Sequence, residues 1–206
     1  MTSALTTSSD PAAVGRATII VKGTGYVPIV HPHRPHESEV ERRRRIEGAL
    51  RYATAYLAQT PPDGAPDTTR EVFGPYKRGL TVDDARSAVR SFYGCRAAFH
   101  RVVLSPHASL GVDTVDDMID WTRLTLGAVQ DWLGHEWAWV GGIHSNTGTR
   151  HAHVIVAGCS MGEGYDVTMT RGIFDRMRAA GVLTARAVTA RRDARYDRIY
   201  SMGVSR

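Results

Sequence analysis

Two short apolar runs, EWAWVGGIH (Glu136 to His144) and HAHVIVA (His151 to Ala157), are separated by only six residues of turn chemistry, SNTGTR (Ser145 to Arg150). Runs this short, rich in aromatic and β-branched residues and joined by such a loop, predict a β-hairpin. Side chains alternate across a strand, so the imidazoles of His151 and His153 share one face and Ala152, Val154 and Val156 take the other. His144 ends the first run, and pairing through the loop sets it beside the other two. Any one of these histidines alone reads best as a structural residue. Three at this spacing read better as ligands that meet one divalent cation and leave positions open for substrate and water.

The rest of the chain supplies a frame for that hairpin. Arg16 to Lys22 predicts a first strand, and Gly23 to His36 an irregular segment. Glu37 to Gln59 predicts a helix with an apolar stripe of Ile46, Leu50, Ala53 and Leu57. A loop begins at Pro61 to Pro66. Thr81 to Ser91 predicts a helix capped by Thr81 and Asp84, and Ala98 to Leu104 a strand stopped by Ser105-Pro106. Thr114 to Leu133 predicts a long helix, with a capping box at Thr114 and Asp117 and a C-terminal cap at Gly134. Thr170 to Ala180 predicts a helix closed by Gly181, followed by a basic helical stretch from Thr184 to Tyr200. This order implies an α+β fold, a central antiparallel sheet with helices on one side. At 206 residues the chain suits one domain. Its expected parts are a flexible tail over 1–15, the core domain over 16–183 and a basic C-terminal helix or tail over 184–206.

The formal charge is +5, and it is clustered. Arg42, Arg43, Arg44 and Arg45 form one run, and Arg186, Arg191, Arg192, Arg195 and Arg198 load the C-terminal end. Such clusters suit a phosphate backbone, although a solvated helix face has the same composition. No run of eighteen apolar residues exists, so no membrane span is expected. Two cysteines, Cys95 and Cys159, fit a reducing cytoplasm better than a disulfide framework. A second histidine group, His31, His33 and His36, lies among prolines and reads as a surface loop.

The stretch HSNTGTRHAHVIVAG (His144 to Gly158) resembles the third motif of relaxases in the HUH endonuclease superfamily, named for two histidines one residue apart. The likeness widens in order: FHRVVLSP from Phe99, a long helix ending in DWLGHEWAWVGGIH, then the histidine pair. With the first strand and the helix after it, the resemblance to mobilisation relaxases of broad-host-range plasmids covers Arg16 to Ala180. It implies a central antiparallel sheet flanked by helices, and DNA strand transfer through a 5′-phosphotyrosine link. It further implies that His144, His151 and His153 hold Mg²⁺ or Mn²⁺, and that Ser105 lies near the bound DNA. Asn146 and Arg150 of the hairpin loop are further expected DNA contacts. The expected partner is single-stranded or origin DNA, with accessory mobilisation proteins and a host helicase. Related enzymes often carry an acid two residues after the first metal histidine. Here Asn146 stands there, so a proton acceptor must come from elsewhere, with Glu136 and Asp116 as the guesses.

A phenol titrates near pH ~10, so a tyrosine nucleophile needs a cation or base beside it. In the resembling enzymes that tyrosine sits on the helix after the first strand, often before Leu or Ile. GALRYATAYLAQ offers Tyr52 and Tyr56. A helical projection puts Tyr56 at the edge of the apolar stripe and Tyr52 farther round, which favours Tyr56. Replication initiators of the same superfamily place their tyrosines after the histidines, where this chain has Tyr196 and Tyr200. The third alternative is a DNA-binding protein with this fold and no catalysis.

Overall fold

A computed structural model of the chain describes residues 19–59, 71–145 and 149–203, the last six of these by backbone alone. The expected tail over 1–15, the loop over 61–66 and Asn146 lie outside the described residues. Five strands are present: β1 (Ile19–Pro28), β2 (Val72–Phe73), β3 (Ala97–Pro106), β4 (Trp137–His144) and β5 (His151–Ser160). Four helices join them among the described residues: α1 (Glu39–Ala58), α2 (Val82–Arg90), α3 (Val115–Leu133) and α4 (Arg171–Gly203). The strands form one sheet in the order β1-β3-β5-β4-β2, with every pairing antiparallel. The α+β fold with a central sheet flanked by helices is as the sequence implied.

The helices cover both faces rather than one, and strand alternation shows why. Trp137, Trp139 and Ile143 of β4, with Ala152, Val154 and Val156 of β5, pack against Met118, Trp121 and Leu126 of α3 and Met177 and Val182 of α4. The intervening residues, Ala138, Val140, Ile155 and Ala157, pack against Ile46, Leu50, Ala53 and Leu57 of α1 and Ala85 and Val89 of α2. Both sides of the central strands are therefore apolar, and each needs a helical layer. Burying a side chain such as Leu50 or Leu57 contributes about 1.5–3 kcal/mol.

Three expected boundaries move. β1 does not stop at Lys22; it runs to Pro28 along the sheet edge, with a bulge between Gly23 and Gly25. Ser105-Pro106 does not stop β3, because both residues still pair with β1, opposite Ile20 and Ile19. Gly181 does not close a helix. It lies inside α4, which runs unbroken from Arg171 to Gly203. The glycine is there for contact: a Cβ would stand 2.6 Å from Ile19 Cδ1 and 3.2 Å from Trp121 Cζ2, and the Trp121 indole donates to its carbonyl at 2.8 Å. The two-residue β2, paired with β4, was not expected from the sequence.

The capping boxes at Thr81/Asp84 and Thr114/Asp117 form as the sequence implied, and a third forms at Ser38/Glu41. Asp117 does more than cap α3. Its carboxylate also accepts from Arg192 Nη1 at 2.8 Å, tying α3 to α4. Burial pushes the Asp117 carboxyl up, but the Thr114 backbone and hydroxyl bonds and the Arg192 charge outweigh it and hold the group below its ordinary value. A depressed folded value means stability that is present above the unfolded pKa of about 3.9 and lost as pH falls through the folded one. Asp117→Asn is expected to cost about 1–3 kcal/mol near neutral pH. In urea titrations the gap from wild type should shrink as pH drops below about 4; a gap that stays constant down to acid pH would contradict this origin.

Gly142 fixes how closely α1 approaches the sheet. A Cβ there would stand 2.6 Å from the Leu57 carbonyl oxygen, which is backbone and cannot rotate away. Gly142→Ala is expected to lift the last turn of α1 and to cost about 1–3 kcal/mol in urea unfolding. Gly127→Ala on α3, where nothing lies within 4 Å of the added carbon, is the control. It should leave stability equal or raise it by up to about 1 kcal/mol.

Candidate metal centre

The hairpin expected from the sequence forms, and His144 pairs directly with His151 across β4 and β5. His153 lies opposite Gly142 on one side and Val103 on the other. All three imidazoles point to the face that α1 covers, while Ala152, Val154 and Val156 point to the opposite core. One ligand nitrogen from each ring lies within 4.8 Å of the other two. Ring centroids are 4.5 Å apart for His144 and His153, 5.0 Å for His151 and His153, and 5.9 Å for His144 and His151. His144 and His151 are buried and His153 is half-buried. His151 Nδ1 lies 3.0 Å from the Thr149 carbonyl oxygen. A carbonyl can only accept, so Nδ1 carries the hydrogen and the Nε2 lone pair is left for a cation. This buried cluster could hold a metal ion, and a set of three imidazoles suits a borderline divalent one.

α1 carries Tyr56 to the same place. Its ring lies 4.9 Å from the His144 ring and 5.0 Å, edge-on, from the His153 ring. The cause is local: Leu57 and Ala53 are buried against the sheet, Gly142 admits the helix backbone, and Tyr56 falls at the margin between buried and exposed. Tyr52, one turn earlier, is 68% exposed. It shares with Tyr56, His153 and Arg101 the wall of a groove of about 300 Å³.

No family model and no curated protein matches the sequence.

The remaining expected residues fall into three groups. Ser105 is buried at the end of β3 on the histidine side, and its hydroxyl makes a long 3.4 Å bond to the Arg150 carbonyl. Ser105 and the half-buried Arg150 thus flank the hairpin loop beside the cluster.

Arg43 and Arg44 are exposed on the first half of α1, and Arg42 is half-buried. They lie about 20 Å along the helix from Tyr56. Arg45 is not available as a DNA contact. It forms a two-pronged ion pair with Glu37 at 2.9 Å and donates to the carbonyls of Pro28 and Ile29, both at 2.9 Å. Those bonds tie α1 to the end of β1, and chiefly the Arg45 hydrogen bond holds the Glu37 carboxyl below its usual range.

Neither guessed acid serves the site. Glu136 precedes β4, eight residues from His144 and so roughly 25 Å away along an extended strand; its carboxylate meets Tyr76 instead. Asp116 is paired with Arg78 at 2.8 Å, at the start of a helix on the other side of the sheet. Tyr196, 53% exposed, and the backbone of Tyr200 belong to α4, which also covers that other side. His31, His33 and His36 stay in the exposed connection before α1 and join no metal cluster among the described residues. Cys95 is exposed, Cys159 is half-buried, and both are free thiols.

Arg101 is the residue that sequence reasoning missed. It interrupts an apolar β3 run and points to the tyrosine groove. A charged residue within AFHRVVL was the available signal.

Proposed function

We propose that this chain nicks one DNA strand in a metal-dependent reaction and remains joined to it through Tyr56, as a relaxase does. One observation carries the reading: a phenol ring about 5 Å from two imidazoles of a three-histidine cluster. The ordered motif from Phe99 to Gly158 adds to it.

In this reaction Tyr56 Oη attacks the phosphorus of a phosphodiester. The new phenol P–O bond forms as the bond to the 3′ oxygen breaks. The phenolic proton passes to water, and the departing oxygen leaves as a 3′-hydroxyl after taking up a proton. His144, His151 and His153 would hold a divalent ion, Mg²⁺ or Mn²⁺ by resemblance, which would supply Lewis-acid polarisation of the phosphate. The phosphotyrosine link keeps the ester energy, so the reverse attack by a 3′-hydroxyl rejoins the DNA without a nucleotide cofactor. Ser105, Asn146 and Arg150 are the proposed contacts near the bound DNA, and Arg42, Arg43 and Arg44 the proposed phosphate contacts farther along. Accessory mobilisation proteins and a host helicase in the cytoplasm would supply unwinding. No helix among the described residues is long and apolar enough to cross a membrane.

The test is incubation of the full chain with Mn²⁺ and a library of labelled single-stranded oligonucleotides, followed by a denaturing protein gel. A slowed band that carries label is the expected result. A second reading, DNA binding without cleavage, draws on the fact that no described carboxylate lines the tyrosine groove. It requires salt-sensitive binding with no such band under any metal.

A further inference from the structure

A cavity of about 650 Å³, larger than the tyrosine groove, is separate from it. It opens at the β1 edge and is walled by Tyr26, Arg96, His100, Arg101 and, from α4 and the segment before it, Phe174 and Met169. The two spaces lie on opposite faces of the sheet, and Arg101 is the one arginine that borders both, beside the edge strand β1.

β1 is shaped around that arginine. The bulge between Gly23 and Gly25 leaves Thr24 as the extra residue. Arg101 Nη2 donates to the Thr24 carbonyl at 3.2 Å, and the Thr24 hydroxyl bonds back to the Arg101 carbonyl at 3.4 Å. Gly25 has φ +126°, and a Cβ there would stand 3.1 Å from Arg101 Nη2. Gly23 similarly leaves room for the Phe174 ring, 2.9 Å from where its Cβ would be. Bulges of this kind re-aim side chains beside functional sites. Among the described residues Arg101 makes no ion pair, and its Nε is buried without a hydrogen-bond partner. A guanidinium fixed by backbone, with no carboxylate to neutralise it, suits an incoming phosphate.

The cavity beyond it suits a base. Tyr26 is 58% exposed, and its ring is tilted against His100 at 6.0 Å rather than packed into the core. His100 is held in place through Nε2, 2.7 Å from the Val167 carbonyl oxygen. A second arginine, Arg96, stands at the rim with its side chain 84% exposed and only a long 4.0 Å contact to the Asp166 carboxylate. A cationic rim beside an exposed aromatic ring is the combination that binds single-stranded nucleic acid.

We propose that Arg101 holds a backbone phosphate of single-stranded DNA between the Tyr56 groove and this cavity, and that the adjoining base enters the cavity against Tyr26. The proposal rests on the DNA reading above and adds a binding site that the motif resemblance does not supply.

The test uses the full chain with EDTA, so that any metal-dependent cleavage is silent. Binding of a fluorescein-labelled oligo(dT) is read by anisotropy over a range of salt. Tyr26→Ala is expected to weaken binding about ten-fold or more. Arg101→Gln is expected to weaken it and to flatten the salt slope by about one counterion. Arg101→Lys should keep the slope and recover part of the affinity. A single abasic site, moved along the oligonucleotide, should cost wild type as much as Tyr26→Ala does at one position, and should cost Tyr26→Ala nothing further there. Thermal melts check that each variant is folded; for Arg101, unchanged Tyr56-face metal binding checks it again. Wild-type affinity in either Tyr26→Ala or Arg101→Gln, or no binding by wild type, overturns the proposal. The covalent band with Mn²⁺ at saturating DNA is read separately. A band with Tyr26-insensitive binding sinks this site alone, and Tyr26-sensitive binding without a band sinks the cleavage reading alone.

Discussion

Tyr56→Phe is expected to abolish the covalent DNA–protein band, by at least about 10³-fold, in a chain that folds and binds metal as before. The substitution removes one oxygen and keeps the ring that packs against His144 and His153. Tyr56 is only half-buried, so stability should stay within about 0.5 kcal/mol of wild type. That separation makes the result interpretable, since loss of the band cannot be blamed on unfolding. Tyr52→Phe, on a mostly exposed ring one turn away, is expected to retain the band with a several-fold change at most. A band lost with Tyr196→Phe or Tyr200→Phe, and kept in Tyr56→Phe, would select the replication-initiator chemistry instead. That outcome would need α4 to deliver a phenol from the opposite side of the sheet.

The second large effect concerns the ion. His153→Ala is expected to weaken Mn²⁺ binding by at least about 100-fold in calorimetry, because one of three ligands is gone. His153 is the cleanest of the three to change. It is half-buried, whereas His144 is fully buried and its truncation would also leave a cavity. The same loss should appear in thermal melts. An ion at a hundred times its dissociation constant stabilises the folded state by about 2.7 kcal/mol, and this increment should vanish in the variant. Unchanged metal stabilisation would mean that the three imidazoles form a packed, satisfied core group rather than a site.

The parts of this arrangement that were legible in the sequence are those set by local periodicity. The two-residue period of β5 put His151 and His153 on one side, and a six-residue loop left little choice about where His144 would fall. Ser/Thr caps followed by acids marked the helix starts, and the 3.6-residue period of α1 placed Tyr56 at the edge of its stripe.

What was not legible depends on partners distant in the chain. Gly181 carries a strong stop signal, yet α4 continues through it because Trp121 and Ile19 occupy the space a side chain would need. Gly23 to Pro28 looks irregular alone and becomes strand only by pairing with β3. Arg45 looks like its three neighbours, and only the nearby Glu37 and the end of β1 take it out of the exposed cluster. Arg101 stands out in the sequence as a charge within AFHRVVL, but the β1 bulge that fixes its guanidinium has no signature in either segment. The gap between Gly142 and Leu57, which sets the distance from the phenol to the imidazoles, is likewise a packing fact between elements 85 residues apart in the numbering.

On this reading the three imidazoles converge on one cation with a phenol alongside. The most direct measurement is a crystal of the full chain soaked in MnCl₂, with data collected for manganese anomalous scattering. A single strong peak enclosed by His144, His151 and His153, with the Tyr56 oxygen on the open side of the ion, is the expected result. A peak bound elsewhere, or clear histidine density with no peak among the three rings, would contradict it.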